Sequence, residues 1–473
     1  MPVEIRARHD GGVRHPPEAA RSEPPLPLWR SLAGLLPSAP AVAPRTGPRW
    51  WWGGPLDVEG LALGSAEAFV TALSALAPSA GPARFTLDAS VVAASFGSFG
   101  HLLIDGSHRA GFAPLSAFHR TADGWVRLHA NYPHHEQALL GALGVRTADA
   151  ARAEMSHRTG SDVEEVVTAH GGLAAVVRKP SEWLASPSAD ALADVPWIRF
   201  ETGPAGPPRE ITLGAGMRPL RGIRILDLTR VIAGPSASRL LGALGADVLR
   251  IDPPGIPELW DAHVDTGFDK RSAVADLSDR ATRERLHNLL AEADAVMLGY
   301  RLSGLHRYGF DPASLREAHP HLAVVSLDAW GASGPCAGRR GFDSIVQAAT
   351  GIAHLYGAGE GDAWRPGALP VQALDHATGL GMGAAVLALL RERGEGRSGY
   401  AHLSLARTAL ELLRAAPPVG PSTPIPTIGL RESPSAYGAL GYVPPPLTVD
   451  GSQLEYAATP VRYGSSPLTW LGA

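Results

Sequence analysis

The feature that most constrains this chain lies between residues 223 and 251. Ile223 to Leu228 reads IRILDL, a short β-rich apolar run. Val231-Ile232-Ala233-Gly234-Pro235 then turns the chain, and Ser236 to Leu244 is helix-like. Gly245 stops that helix, and Asp247 to Ile251 (DVLRI) becomes extended again. Two strands joined through a helix must run parallel, with a right-handed crossover. The alternation continues with a strand at 273–277, a helix at 279–293 and strands at 295–299 and 322–327. Residues 218–415 are therefore expected to form an open, doubly wound parallel α/β sheet. Such sheets bind ligands beyond the carboxyl ends of their strands.

The rest of the chain reads differently. Phe118 to Leu128 looks like a hairpin turning at Ala122-Asp123-Gly124, followed by helices at 133–143 and around 161–178 and a short segment from Trp197 to Phe200. Residues 110–205 are read as a smaller α+β domain. Of 42 prolines, 11 fall in residues 1–55 and 11 in 416–473, which argues against regular structure at both ends. Residues 1–48 are expected to be largely disordered and 416–473 to be irregular chain lying over a surface or a partner. Packing should begin at Trp50-Trp51-Trp52, since three adjacent indoles are costly to leave in water. A sparse internal repeat links the two halves. Leu56-Asp57 and Leu374-Asp375 each precede a Gly/Ala-rich helix and a similar strand, ARFTL at 83–87 and AHLSL at 401–405, both at an offset of 318 (375 − 57 and 405 − 87). Residues 49–109 thus read as a degenerate copy of the aspartate–helix junction.

Composition narrows the function classes. A net charge of −4 excludes a dedicated nucleic-acid binder. No uninterrupted apolar run reaches membrane-spanning length, and residues 1–22 lack the apolar core of a secretory signal. Cys336 is the sole cysteine, so neither an intrachain disulfide nor a thiolate zinc site can form, and a cytoplasmic setting is expected. No Walker-type phosphate loop, three-glycine dinucleotide fingerprint or nucleophile-elbow serine is present. His129, His134 and His135 in LHANYPHH lack a carboxylate at ligand spacing, and the plain reading is a solvated loop with no metal. Asp375 is the sharper candidate. It could simply cap the long apolar helix that follows, or the same helix terminus could orient it and keep it ionised as a nucleophile towards an activated carbonyl.

From Pro219 to Leu412 the chain strongly resembles the class III CoA-transferases, the family of formyl-CoA transferase, carnitine CoA-transferase and the bile-acid-inducible transferases. Five blocks carry the resemblance in family order: PLRGIRILDLTRVIAGPSASRLLGALGADVLRID, FDKRSAVADL, GLHRYGF, GPCAGRRGFDSIVQAATG and LDHATG. It implies that Asp375 is the catalytic aspartate and that Arg307 and Arg340 lie near the phosphates of CoA. Ile232 and Ala233 match the CoA-contacting loop after the first strand, and Ala275, Asp276, Leu277 and Ser278 match the stretch bordering adenine. Gly299, Tyr300 and Arg301 occupy the next strand-end loop, where glycine replaces a frequent asparagine. Phe342 and Asp343 complete the implied CoA-binding set.

The implied reaction transfers CoA from an acyl-CoA thioester to a carboxylic acid through an aspartyl-CoA intermediate, with backbone amides at the helix start stabilising oxyanions. CoA enters as substrate, with no tightly bound cofactor. The rival within the family is an α-methylacyl-CoA racemase, which carries histidine where this chain has Phe342, a residue that cannot move a proton. Two departures stand out. The small domain precedes the CoA domain, so the order looks permuted, and the glycine-rich active-site loop is missing. Those departures, with the lost asparagine, also motivate a non-catalytic CoA-binding or scaffold protein. Family members form interlinked homodimers, so a homodimer, interlinked or not, is implied.

Overall fold

In a computed structural model the described residues are 24–36, 44–47, 49, 50, 52–76, 84–108, 111–208, 211, 213–419 and 422–472. The expected disorder of 1–23 and 37–43, the indole of Trp51 and the first residue of the 83–87 strand lie outside them. The large sheet has seven strands: β1 (Arg199–Pro204), β2 (Arg224–Leu228), β3 (Asp247–Asp252), β4 (Arg271–Val274), β5 (Ala295–Leu298), β6 (Ala323–Asp328) and β7 (Arg397–Ser404). Their spatial order is β4-β3-β2-β5-β6-β7-β1. All pairs are parallel except β1, which runs antiparallel on the β7 edge. Trp197 to Phe200, read as the end of the small unit, thus leads into the large sheet instead.

Side-chain alternation explains why both faces are covered. Ile225, Met297, Val325 and Leu403 point into one core. Leu226, Leu228, Val296, Leu298 and Val324 point into the other, under the helix at Arg280–Glu292. The first core is built on α1 (Val58–Ala75), α2 (Ala233–Ala243), α3 (Asp343–Ala349), α4 (Ala373–Arg393) and α5 (Leu405–Arg414). Gly245, at φ +105°, follows α2 as the sequence predicts. After β2 the chain builds outward through β3 and β4, then crosses to β5 on the other side of β2. That reversal leaves a crevice between the β2 and β5 carboxyl ends.

α4 is long and apolar enough to cross a membrane, yet it is buried throughout. Glycines on two opposite sides of the helix make this possible. A Cβ on Gly379 would run into the Ala233 carbonyl of α2, one on Gly381 would sit 2.6 Å from Leu403 and 2.8 Å from Trp197, and one on Gly383 would meet Phe69 of α1 at 2.5 Å.

The smaller unit is a three-stranded antiparallel sheet (Phe118–Arg120, Trp125–Leu128, Ala174–Val176) packed by helices Pro133–Ala142, Ala148–Ser156 and Gly160–Ala169. The helix expected to reach 178 stops at Ala169, because Gly171-Gly172 breaks it and the following apolar residues are taken into the sheet. The terminal regions correct the sequence reading. Leu28 and Leu32, in a 3-10 turn at Leu28–Leu32, are buried in the first core against α1. In the C-terminal region, Arg431–Ser435 and Gly438–Tyr442 form a hairpin that pairs with Leu103–Ile104, and Thr448–Val449 pairs with Phe85–Asp88. Trp470 is buried in the second core. The N-terminal order of α1, a strand at Phe85–Asp88 and a helix at Ala89–Phe96 parallels the order α4, β7, α5.

Gly379→Ala tests the close contact of α4 with α2. Overpacking of about 1–3 kcal/mol should outweigh a helix-propensity gain of up to about 1 kcal/mol. The variant is expected to unfold at lower denaturant concentration than the wild type.

Candidate active site

The carboxyl ends of β2, β4, β5 and β6 open on one edge of the sheet, because these strands are parallel. Four loops meet there, at 229–233, 275–278, 299–301 and 329–342. α4 begins close by. Its N-cap is Gln372, which makes no side-chain cap, so Asp375 is the third helical residue and not the cap that the sequence allowed. Asp375 is 6% exposed, and among the described residues its carboxyl has no hydrogen-bond partner.

Directly behind it stands Asp343, the first residue of α3, 1% exposed. One Asp343 oxygen accepts the Asp375 backbone N–H at 3.0 Å, and the other accepts from the Gln347 amide. Burial pushes Asp343 up to about 6, despite these bonds and the Leu374 amide. Burial and the Asp343 charge together hold Asp375 well above the usual aspartate range. This reverses the expectation that the helix start keeps Asp375 ionised. The amides that would do so are occupied: those of Leu374 and Asp375 point at Asp343, that of Ala373 at the Val371 carbonyl and that of His376 at the Gln372 carbonyl. The expected oxyanion donors of the α4 start are likewise committed. Free donors occur instead at the start of α2, where the amides of Ala233 and Gly234 reach no acceptor among the described residues.

The loop carrying them is held under strain. Val231 has φ +68°, a conformation costly for a β-branched residue. Its N–H donates to Glu258 at 2.8 Å. Burial alone would raise Glu258, but Arg250 and Arg230 pull its carboxyl down to about 2. Arg250 pairs with Glu258 at 2.9 Å and with Asp252 at 2.8 Å, all three being essentially inaccessible. Tyr132 of the small unit donates to the other Glu258 oxygen.

Residues 220–423 match the sequence profile described as CoA-transferase family III. An acyl-CoA transferase of Gibberella moniliformis is 28% identical over 323 residues, covering 63% of this chain and 57% of that protein. The succinyl-CoA:glutarate CoA-transferase of Mus musculus is 33% identical over 189 residues, or 37% of this chain and 43% of that protein. A solved hypothetical protein of Mycobacterium tuberculosis is 30% identical, with a TM-score of 0.38 over 41% of this chain and 56% of its own. The chain spans about half the length of the curated relatives it matches.

Within the family segment the implied CoA residues differ in their surroundings. Ile232 and Ala233 open α2 at the crevice, Arg301 and Arg307 are exposed on the loop and short helix after β5, and the Arg307 guanidinium lies 4.6 Å over the Tyr308 ring. Ala275 to Ser278 follow β4, with Ala275 buried and Asp276 turned back to accept the Ser278 amide at 2.8 Å. Gly299 sits where a Cβ would be 3.2 Å from Thr229, so any larger residue there would require Thr229 to shift slightly.

Three others are committed to the protein. Tyr300 donates to Asp252 at 3.1 Å, Asp343 is buried behind Asp375, and Phe342 is covered by the small unit. Arg340 is half-buried, donates to the Gly171 carbonyl at 2.9 Å and is drawn below its ordinary pKa by burial and by Arg301. Asp57 caps α1 by accepting from Gly60 at 2.9 Å and pairs with Arg49, a structural role. Cys336 is a partly buried free thiol that accepts from Ser188 at 3.4 Å.

The histidine loop is also not solvated. His129 stacks on Phe342 at 3.9 Å and 13°, and both His129 and His135 are 5% exposed. Sequence reasoning missed Glu258, Tyr132 and Arg230 altogether. PELW carries no motif, and only the fold brings these residues together.

Removing the Asp343 charge should lower the Asp375 pKa, because like-charge repulsion is part of what raises it. In Asp343→Asn the acid limb of the pH profile for modification of Asp375 by a carboxyl-directed reagent or acyl-CoA is therefore expected to move to lower pH.

Proposed function

We propose that this chain transfers CoA from an acyl-CoA thioester to a carboxylic acid, with Asp375 as the nucleophile. The observation that carries the reading is an unpartnered, buried carboxyl in the first turn of α4, within a segment of the CoA-transferase family. Similarity to proteins named as CoA-transferases supports it. CoA would lie along the carboxyl edge, with its phosphates toward Arg301 and Arg307. Burial that raises Asp375 also leaves its ionised form poorly solvated and reactive. The ionised Asp375 oxygen attacks the thioester carbonyl, the C–S bond breaks, and CoA thiolate leaves a mixed anhydride. Thiolate attack on the aspartyl carbonyl expels the donor carboxylate and forms the aspartyl-CoA thioester. The acceptor carboxylate then displaces thiolate to form a second anhydride, and thiolate attack on its acceptor carbonyl yields the new acyl-CoA and restores Asp375. The Ala233 and Gly234 amides are suited to the oxyanions.

The architecture is read as a permuted order, with residues 49–109 a second, non-catalytic copy of the junction. We further infer a cytoplasmic setting, since the substrates are CoA thioesters and the single thiol is free, and a homodimer because the family resemblance implies one. A second reading, proton transfer at the α-carbon of an acyl-CoA, draws on His129 and His135 lying against Phe342. Burial holds both imidazoles down to about 3, which makes them weak bases and favours transfer of CoA.

Incubation with a panel of acyl-CoAs, hydroxylamine trapping and peptide mass mapping should find a hydroxamate at Asp375, absent from Asp375→Ala. Tight CoA binding with no adduct, accompanied by exchange of the α-proton into deuterated water, would favour the second reading. Absence of CoA binding would overturn both.

A further inference from the structure

The loop from His129 to His135 packs against the carboxyl edge of the large sheet, and the transfer steps above leave its polar groups unused. His134 and His135 lie with ring centroids 4.0 Å apart, and His135 is 5.9 Å from Phe342. Arg230 lies 4.7 Å over the Tyr132 ring, and the charges of Arg230 and Arg340 bear on both His134 and His135. Arg301 bears in turn on Arg340. The acid facing this group is Glu258, which is consumed by Arg250, Tyr132 and Val231 and lies 3.7 Å from Arg230.

The cluster therefore carries the positive charge of Arg230 and Arg340, while the carboxylate nearest Arg230 is already engaged. Among the described residues the Nδ1 atoms of His129 and His135, both 95% buried by their 5% exposures, have no hydrogen-bond partner, and neither has the Arg230 Nε. Buried polar atoms left unpaired are costly and point to a missing partner. Among the described residues the Arg340 guanidinium makes one hydrogen bond, to a neutral carbonyl. A guanidinium beside neutral imidazoles matches a carboxylate, which accepts on both oxygens and supplies the absent negative charge.

We propose that His134, His135 and Arg340 form the subsite that receives the carboxylate of the acceptor acid. The proposal rests on the CoA-transfer reading. Its location supports the acceptor over CoA phosphate: the histidines adjoin Phe342, next in sequence to the Asp343 that holds the Asp375 amide, whereas exposed Arg301 and Arg307 serve the outer edge. Burial and the nearby Arg230 and Arg340 charges lower both His134 and His135, which favours their neutral forms, each with one ring N–H to donate.

The test uses the full chain and separates donor from acceptor steps, comparing the wild type with His135→Asn and with His134→Gln on the more exposed ring. CoA affinity and trapping of Asp375 by acyl-CoA are expected to stay within about twofold of wild type, while the acceptor KM rises about tenfold or more, the loss expected for a hydrogen bond to a charged group. Calorimetric titration with glutarate and acetate, read without turnover, should show the same weakening. A matching loss of CoA affinity would assign the cluster to the CoA phosphates and overturn the proposal. So would unchanged acceptor KM and unchanged carboxylate binding in both variants. Failure of the wild type to form any adduct would remove the CoA-transfer reading, and the titration would still decide whether the cluster binds carboxylates.

Discussion

The close approach of α4 to its neighbours is the constraint on which the rest depends. Three glycines on alternate positions let α2, α1 and the β7 layer touch its backbone. The helix can therefore run through the core between two elements that themselves carry the site. One consequence is geometric: the start of α4 is brought beside the start of α2 and beneath the carboxyl ends of the strands. The other is electrostatic. A carboxyl in the first turn of a helix so deeply placed is removed from water, and ordinary helix-terminus stabilisation cannot compensate when the terminal amides already serve Asp343.

Charge is distributed unevenly around that point. Asp343 and Asp375 stand together on the core side, each made harder to ionise by burial. Arg230, Arg301 and Arg340 stand on the open side with the histidine loop. An anionic ligand entering from the carboxyl edge would meet cations first and the buried Asp375 carboxyl last. The strained Val231, fixed by Glu258, links these sides, because Glu258 also takes the Tyr132 hydroxyl of the small unit. The strand-end loop and the histidine loop are therefore positioned by one buried carboxylate, whose own charge is maintained by Arg250.

Much of the fold was legible along the chain. IRILDL, Gly245 and DVLRI predict the first βαβ unit, and the observed strands and helix fall within a few residues of the expected ones. Local pattern sufficed there because strand burial and helix termination are short-range matters. It failed where pairing is long-range. Arg199–Pro204 joined a sheet whose partner strand begins almost 200 residues later, and the proline-rich C-terminal region found edges to pair with at Leu103–Ile104 and Phe85–Asp88. Proline content opposed regular structure within these segments but said nothing about a distant strand edge.

The same division holds at the site. Local pattern along the chain was enough for the large α/β domain and for an aspartate at the start of a long apolar helix, while the basic residues of the strand-end loops were singled out by the family resemblance. Tertiary structure alone decided the state and surroundings of those residues. Burial beside Asp343 raised Asp375, the small unit covered Phe342, and Glu258 reached Val231 and Tyr132 across the fold. Solvation and charge–charge coupling depend on distance in space, and neighbours in space are set by packing and not by position along the chain.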